Sequence, residues 1–140
     1  RRTVSCIYLI GSLRNPEVPK IANKLREAGF EVFDDWYAAG EKADDAWRDY
    51  EKQRGRTFPE ALSGLAAQHV FSFDRKHLEA ADIGVLVLPA GKSGHIEMGW
   101  LVGRGRSCYV LLDNLDRWDV MYMFASGVFV TVEELLEALK

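Results

Sequence analysis

Apolar positions along the chain fall into five short, nearly continuous runs separated by stretches with helical spacing. The runs are Val4 to Ile10, Phe30 to Phe33, Asp82 to Leu88, Ser107 to Leu112 and Val128 to Val130. Continuous apolar character, rather than alternation, predicts strands covered on both faces, as in a parallel sheet. Between the first two runs, Val18, Ile21, Ala22, Leu25 and Ala28 form an apolar stripe. This predicts a helix over Glu17 to Ala28, opened by Pro16 and stopped by Gly29. A long helix is predicted from Leu65 to Ala81, with Leu65, Val70, Phe73, His77 and Leu78 at its apolar positions. Thr131 and Glu134 have the spacing of a capping box for a last helix ending at Lys140.

Strand and helix alternate, which predicts an α/β fold with right-handed crossovers. We read a single domain over residues 1–140: a doubly wound, five-stranded parallel sheet, flavodoxin/Rossmann-like, in the order 2-1-3-4-5, with helices on both faces. Strands one and three then flank the switch point, and the loops after them face one crevice. The stretch from about 34 to 64 breaks the rhythm. Asp34, Asp35, Trp36, Tyr37, Asp44, Asp45, Trp47 and Tyr50 crowd it, and Ala43 to Gln53 should be helical. It leaves the carboxyl edge of strand two and reads as a lid beside the site. Aromatic residues that simply anchor an insertion to the body would give the same composition.

The chain has 140 residues, 48% of them hydrophobic, and a net charge of −3. That suits one compact domain and argues against an electrostatic nucleic-acid binder. No apolar stretch approaches the roughly 20 residues needed to span a membrane, and Arg1-Arg2-Thr3-Val4 opens no signal-peptide pattern. A cytoplasmic protein without nucleic-acid or membrane partners is expected. Cys6 and Cys108 each fall in a buried strand, so no disulfide is expected. His69, His77 and His95 have no metal-ligand spacing, and neither a metal nor a cofactor is expected.

Candidate chemistry concentrates after strand three, in Pro89-Ala90-Gly91-Lys92-Ser93-Gly94-His95-Ile96-Glu97-Met98-Gly99. The segment reads as strand, glycine loop and helix. Gly91-Lys92-Ser93 mimics the end of a phosphate-binding loop, but Leu86 stands where that motif needs its first glycine, so this kind of ATP binding is rejected. Glu97 is expected in the first helical turn, where the helix dipole would hold it as an anion. Gly91 and Gly94 would let a ligand approach the backbone, and Ser93 would cap the helix or bind a ligand oxygen. A capped helix with an early Glu for its dipole accounts for the same residues. Asp74 lies inside the long helix, where Asp is a poor former with no cap to make. It invites a functional role, or a solvated ion pair with Arg75 or Lys76.

Ile7-Tyr8-Leu9-Ile10-Gly11-Ser12-Leu13-Arg14, then Asp74, then Ala81-Asp82 leading a strand into Gly94-His95-Ile96-Glu97-Met98-Gly99, together resemble the nucleoside 2-deoxyribosyltransferase superfamily. That superfamily includes nucleoside 5′-monophosphate N-glycosidases. The resemblance covers nearly the whole chain except the 34–64 insertion. It implies Glu97 as the nucleophile that forms a glycosyl ester, Tyr8 as the residue positioning Glu97 and the sugar, and Asp74 as the group contacting or protonating the base. It implies Ser12 and Arg14 as holders of a 5′-phosphate. Gly11, Leu13, Asp34, Trp36, Gly91, Ser93, Asp119 and Met121 complete the expected substrate-binding set. An ionised Glu with a second carboxyl group suits the same chemistry on general grounds.

Two positions depart from the family pattern. Gly91, six residues before Glu97, stands where a small polar or acidic residue is common. Asp119 stands where the monophosphate hydrolases bring a serine from a neighbouring subunit. An acid there weakens the phosphate reading, and His95 could compensate if protonated. The helix carrying Glu97 also shows Ile96, Met98, Trp100, Leu101 and Val102 around its circumference, which predicts a homodimer or a dimer of dimers. The expected function is cleavage or transfer of the N-glycosidic bond of a nucleoside or its 5′-monophosphate, hydrolysis being preferred. The rivals are a TIR-like NAD glycohydrolase and a non-catalytic nucleotide-binding or sensor module.

Overall fold

The computed structural model describes residues 4–140. The expectation drawn at Arg1 to Thr3 lies outside the described residues. Strands β1 (Cys6–Ile10), β2 (Glu31–Phe33), β3 (Ile83–Val87), β4 (Ser107–Leu111) and β5 (Gly127–Phe129) form one parallel sheet in the order β2-β1-β3-β4-β5. The helices are α1 (Glu17–Glu27), α2 (Ala43–Gln53), α3 (Phe58–Ala61), α4 (Leu65–Ala80), α5 (Lys92–Gly103) and α6 (Val132–Ala138). The fold class is the one the alternation of strand and helix predicts, and the strand order is the doubly wound order chosen for it. The last strand starts one residue earlier than expected, at Gly127. A Cβ there would lie 2.6 Å from the Phe129 ring, so the missing side chain makes room for that ring on the same strand.

Strands β1 to β4 divide their side chains between two cores, as a period of two requires. Tyr8, Ile10, Phe33, Leu86, Cys108 and Val110 pack on one face with Leu78 of α4 and Met98 and Leu101 of α5. Ile7, Leu9, Val85, Val87 and Leu111 pack on the other with Val18, Ile21, Ala22 and Leu25 of α1 and Leu135 of α6. The capping box is present: Thr131 Oγ1 accepts from Glu134 N at 3.1 Å, and Glu134 Oε1 accepts from Thr131 N at the same distance. Cys108 is a buried free thiol, and burial pushes it up to about 11. Among the described residues no helix is long and apolar enough to cross a membrane.

The 34–64 segment begins with a 3-10 turn at Asp35–Ala39 and contains α2 and α3. Trp36 fixes its start, donating from Nε1 to the carbonyl of Leu9 at 2.8 Å. Farther out, Glu51 is buried and takes Arg56 at 2.9 Å, while Trp47 meets Phe58 edge to face. The insertion thus buries a carboxylate of its own and pairs it with a guanidinium, as a buried charge requires.

Candidate functional site

The site forms where β1 and β3 end beside each other, with Tyr8 paired to Gly84 and Ile10 to Leu86. Tyr8 is 1% exposed, and its hydroxyl donates to Glu97 Oε2 at 2.7 Å. That bond spans from mid-sheet to α5 and fixes the carboxylate's direction. Burial, then the charges on Glu97 and Asp74, raise the Tyr8 pKa, so the phenol stays protonated and remains a donor.

Glu97 requires a correction. α5 begins at Lys92, so Glu97 is its sixth residue and lies beyond the first turn, where the dipole acts. Burial, not the dipole, dominates its titration and pushes the carboxyl from its ordinary 4.5 up to about 7; the Tyr8 bond pulls it down and the Asp74 charge adds to the rise. The expected ready anion is instead a carboxyl poised near neutrality.

α4 supplies the second carboxyl group. Asp74 is half-buried, and desolvation raises its pKa while the neighbouring His77 opposes the rise. It does not form the expected solvated pair: Arg75 bonds Glu79 at 2.9 Å. His77, one turn on, stacks flat on Phe33 with centroids 4.1 Å apart, and Phe33 in turn packs on Tyr8 at 5.0 Å. Phe73 closes the cluster against both rings. The apolar spacing of α4 had placed His77 merely in the core. Its position three residues after Asp74 is the signal that both face one crevice.

The loop after β1 holds the expected phosphate residues. Ser12 Oγ accepts from Arg14 N at 3.1 Å, a tight turn that leaves the hydroxyl proton free to donate. Asn15, overlooked in the sequence, is 8% exposed and accepts from Glu17 N at 3.0 Å, so it rather than Pro16 secures the start of α1. Gly11 sits where a Cβ would come 3.1 Å from Val18, which lets this loop press on α1. Leu13 is half-buried beside it. Arg14 is exposed, and its Nη2 lies 3.5 Å from Asp45 of α2.

Several other expected residues already have protein partners. Asp34 takes Arg26 at 2.5 Å, a bond that ties β2 to α1. Trp36 packs into both cores as well as bonding Leu9. Gly94 is buried against Ile10, Ala90 and Leu86, so it serves the seating of α5 and not a ligand. Ser93 makes no cap bond; the helix starts from Gly91, whose Cα faces open space. His95 uses both ring nitrogens, Nδ1 to Gly91 O at 2.8 Å and Nε2 to Tyr122 Oη at 3.0 Å. The second of these bonds ties α5 to a 3-10 turn at Val120–Phe124, which Asp119 starts by accepting from Met121 N at 2.9 Å. Asp119 and Met121 are exposed on this turn, remote in sequence from the β1 loop.

A scan against protein-family models and a sequence comparison with curated proteins both find no match. Solved structures do match. The CMP N-glycosidase BcmB of Clostridium botulinum superposes with a TM-score of 0.58 at 14% identity, covering 96% of this chain and 98% of its own. A conserved protein from Enterococcus faecalis V583 gives 0.65 at 12% identity, over 96% of both chains. This chain shares their fold. A 2-deoxyribosyltransferase from Bacillus psychrosaccharolyticus gives 0.57 at 19% identity, over 94% of this chain and 90% of that one. Each match spans 90% or more of both chains.

Proposed function

We propose that this protein belongs with the nucleoside 2-deoxyribosyltransferase superfamily and cleaves or transfers the N-glycosidic bond of a nucleoside or nucleoside 5′-monophosphate. The observation that carries the reading is the 2.7 Å bond from Tyr8 to a half-buried Glu97, with Asp74 close enough to raise the pKa of both. The fold shared with a CMP N-glycosidase and a 2-deoxyribosyltransferase supports it.

In this reading Glu97, once deprotonated, attacks the anomeric carbon, and the bond to the base breaks as the glycosyl ester forms. Tyr8 aims the carboxylate. Asp74, its pKa raised by burial, delivers a proton to the departing base. Water then opens the ester, giving its hydroxyl to the anomeric carbon and its proton back to Asp74, and restores the Glu97 carboxylate; a second base taking the place of water gives transfer. Hydrolysis is the preferred outcome. Ser12 and Arg14 face the 5′ end of the sugar, and charge-assisted contacts to a phosphate contribute roughly 1.5–3 kcal/mol.

The test is a panel of nucleosides, 5′-monophosphates and NAD, with and without a second base, with products resolved by chromatography. Release of free base from a nucleoside or monophosphate is expected. Cleavage of NAD alone, or tight binding with no base released over hours, would replace the proposal with one of its rivals.

A further inference from the structure

Asp45 bridges two guanidinium groups. Its Oδ2 lies 3.5 Å from Arg14 of the β1 loop, and its Oδ1 lies 3.3 Å from Arg48, one turn along α2. A carboxylate that gives one oxygen to each of two arginines takes up the arrangement that an incoming phosphate would adopt. It is also the contact by which the insertion touches the loop proposed to read the 5′ end. Asp49 also takes Arg48, at 3.1 Å, so two carboxylates already match the two guanidiniums here. The local balance therefore opposes a second anion.

We propose that Asp45 is the residue that sets selectivity between phosphorylated and unphosphorylated substrates, by competing with the 5′-phosphate for Arg14. The inference rests on the proposed function, because it takes Arg14 to be the phosphate reader. A monophosphate must displace Asp45 from Arg14 and then sit beside the displaced charge, whereas a nucleoside leaves the pair intact. The two side chains are 65% and 47% exposed, so the pair itself is weak and a phosphate can break it. Like-charge repulsion adds to the penalty and is screened by salt.

The experiment compares the binding of ribose 5-phosphate and ribose by calorimetry in wild type, Asp45→Asn, Asp44→Asn and Arg14→Ala. The substitution at Asp45 is isosteric and at an accessible position, so folding is preserved. Asp45→Asn is expected to tighten ribose 5-phosphate about two- to fivefold, as removal of an exposed like charge and competitor should, with ribose unchanged. The gain should shrink at high salt. Arg14→Ala should weaken ribose 5-phosphate and leave ribose alone. Equal affinity in wild type and Asp45→Asn would overturn the inference, and so would an equal gain in Asp44→Asn, which alters the net charge identically without touching Arg14. Failure of the underlying reading looks different: Arg14→Ala would then leave ribose 5-phosphate affinity unaltered, or neither sugar would bind at all.

Discussion

Glu97 is where burial and charge conflict most directly. A carboxyl with its pKa lifted from 4.5 to about 7 favours the folded state below pH 4.5, and that contribution is lost as pH rises toward 7. The full loss is up to about 3 kcal/mol. Glu97→Gln keeps the acceptor for Tyr8 and removes the charge. We expect its thermal midpoint to exceed the wild type's at pH 8 and to match it at pH 4.5, while base release disappears and ligand binding persists. An unchanged rate would remove Glu97 from the mechanism. Tyr8→Phe tests the hydrogen bond that opposes burial. Without it the Glu97 pKa rises further, so the acid limb of the pH–rate profile should move to higher pH. A profile that only falls in amplitude would make Tyr8 a packing residue.

At the scale of elements, the seating of α5 on the sheet decides where Glu97 lies. A Cβ on Gly84 would come 2.7 Å from Leu101 and 2.8 Å from Cys108, so Gly84→Ala should destabilise by about 1–3 kcal/mol in urea unfolding through overpacking. Gly94 differs. There Ala gains up to about 1 kcal/mol in helix propensity, while its nearest neighbours would stand at 3.1 Å and 3.2 Å. The two effects nearly cancel in stability, yet α5 must shift outward. Gly94→Ala is therefore expected to unfold close to wild type but to lose turnover, because Glu97 retreats from Tyr8.

Across the whole molecule, the single chain leaves apolar surface around the site. Phe71 of α4 is 64% exposed, Ile96 of α5 71%, and Met123 of the 3-10 turn 84%. α5 itself is less uncovered than its sequence suggests: Met98 and Leu101 are buried, and Arg104 lies over the Trp100 ring at 4.3 Å. What remains open suits a second copy. We expect light scattering at low micromolar concentration to give a dimer or a dimer of dimers, with Asp119 or Met121 near the partner's crevice. A fully active monomer would exclude a shared site.

The sequence by itself determined the strands, their alternation with helices and the capping box, because these follow from local periodicity and short hydrogen bonds that three or four residues specify together; the strand order is chosen from the doubly wound topologies that this alternation allows. Once that order is chosen, the loop from Gly11 to Arg14 and the segment from Gly91 to Glu97 face one crevice, and the family resemblance adds Tyr8 and Asp74 to it. Tertiary structure decided their chemistry. Glu97 titrates near neutrality because of what buries it, and no reading of its own helix contains that. Likewise Asp34 is taken by Arg26, Trp36 by Leu9, and Arg14 by Asp45. Those partnerships depend on where side chains from separate elements meet, and a spacing pattern along one chain holds no distance between them.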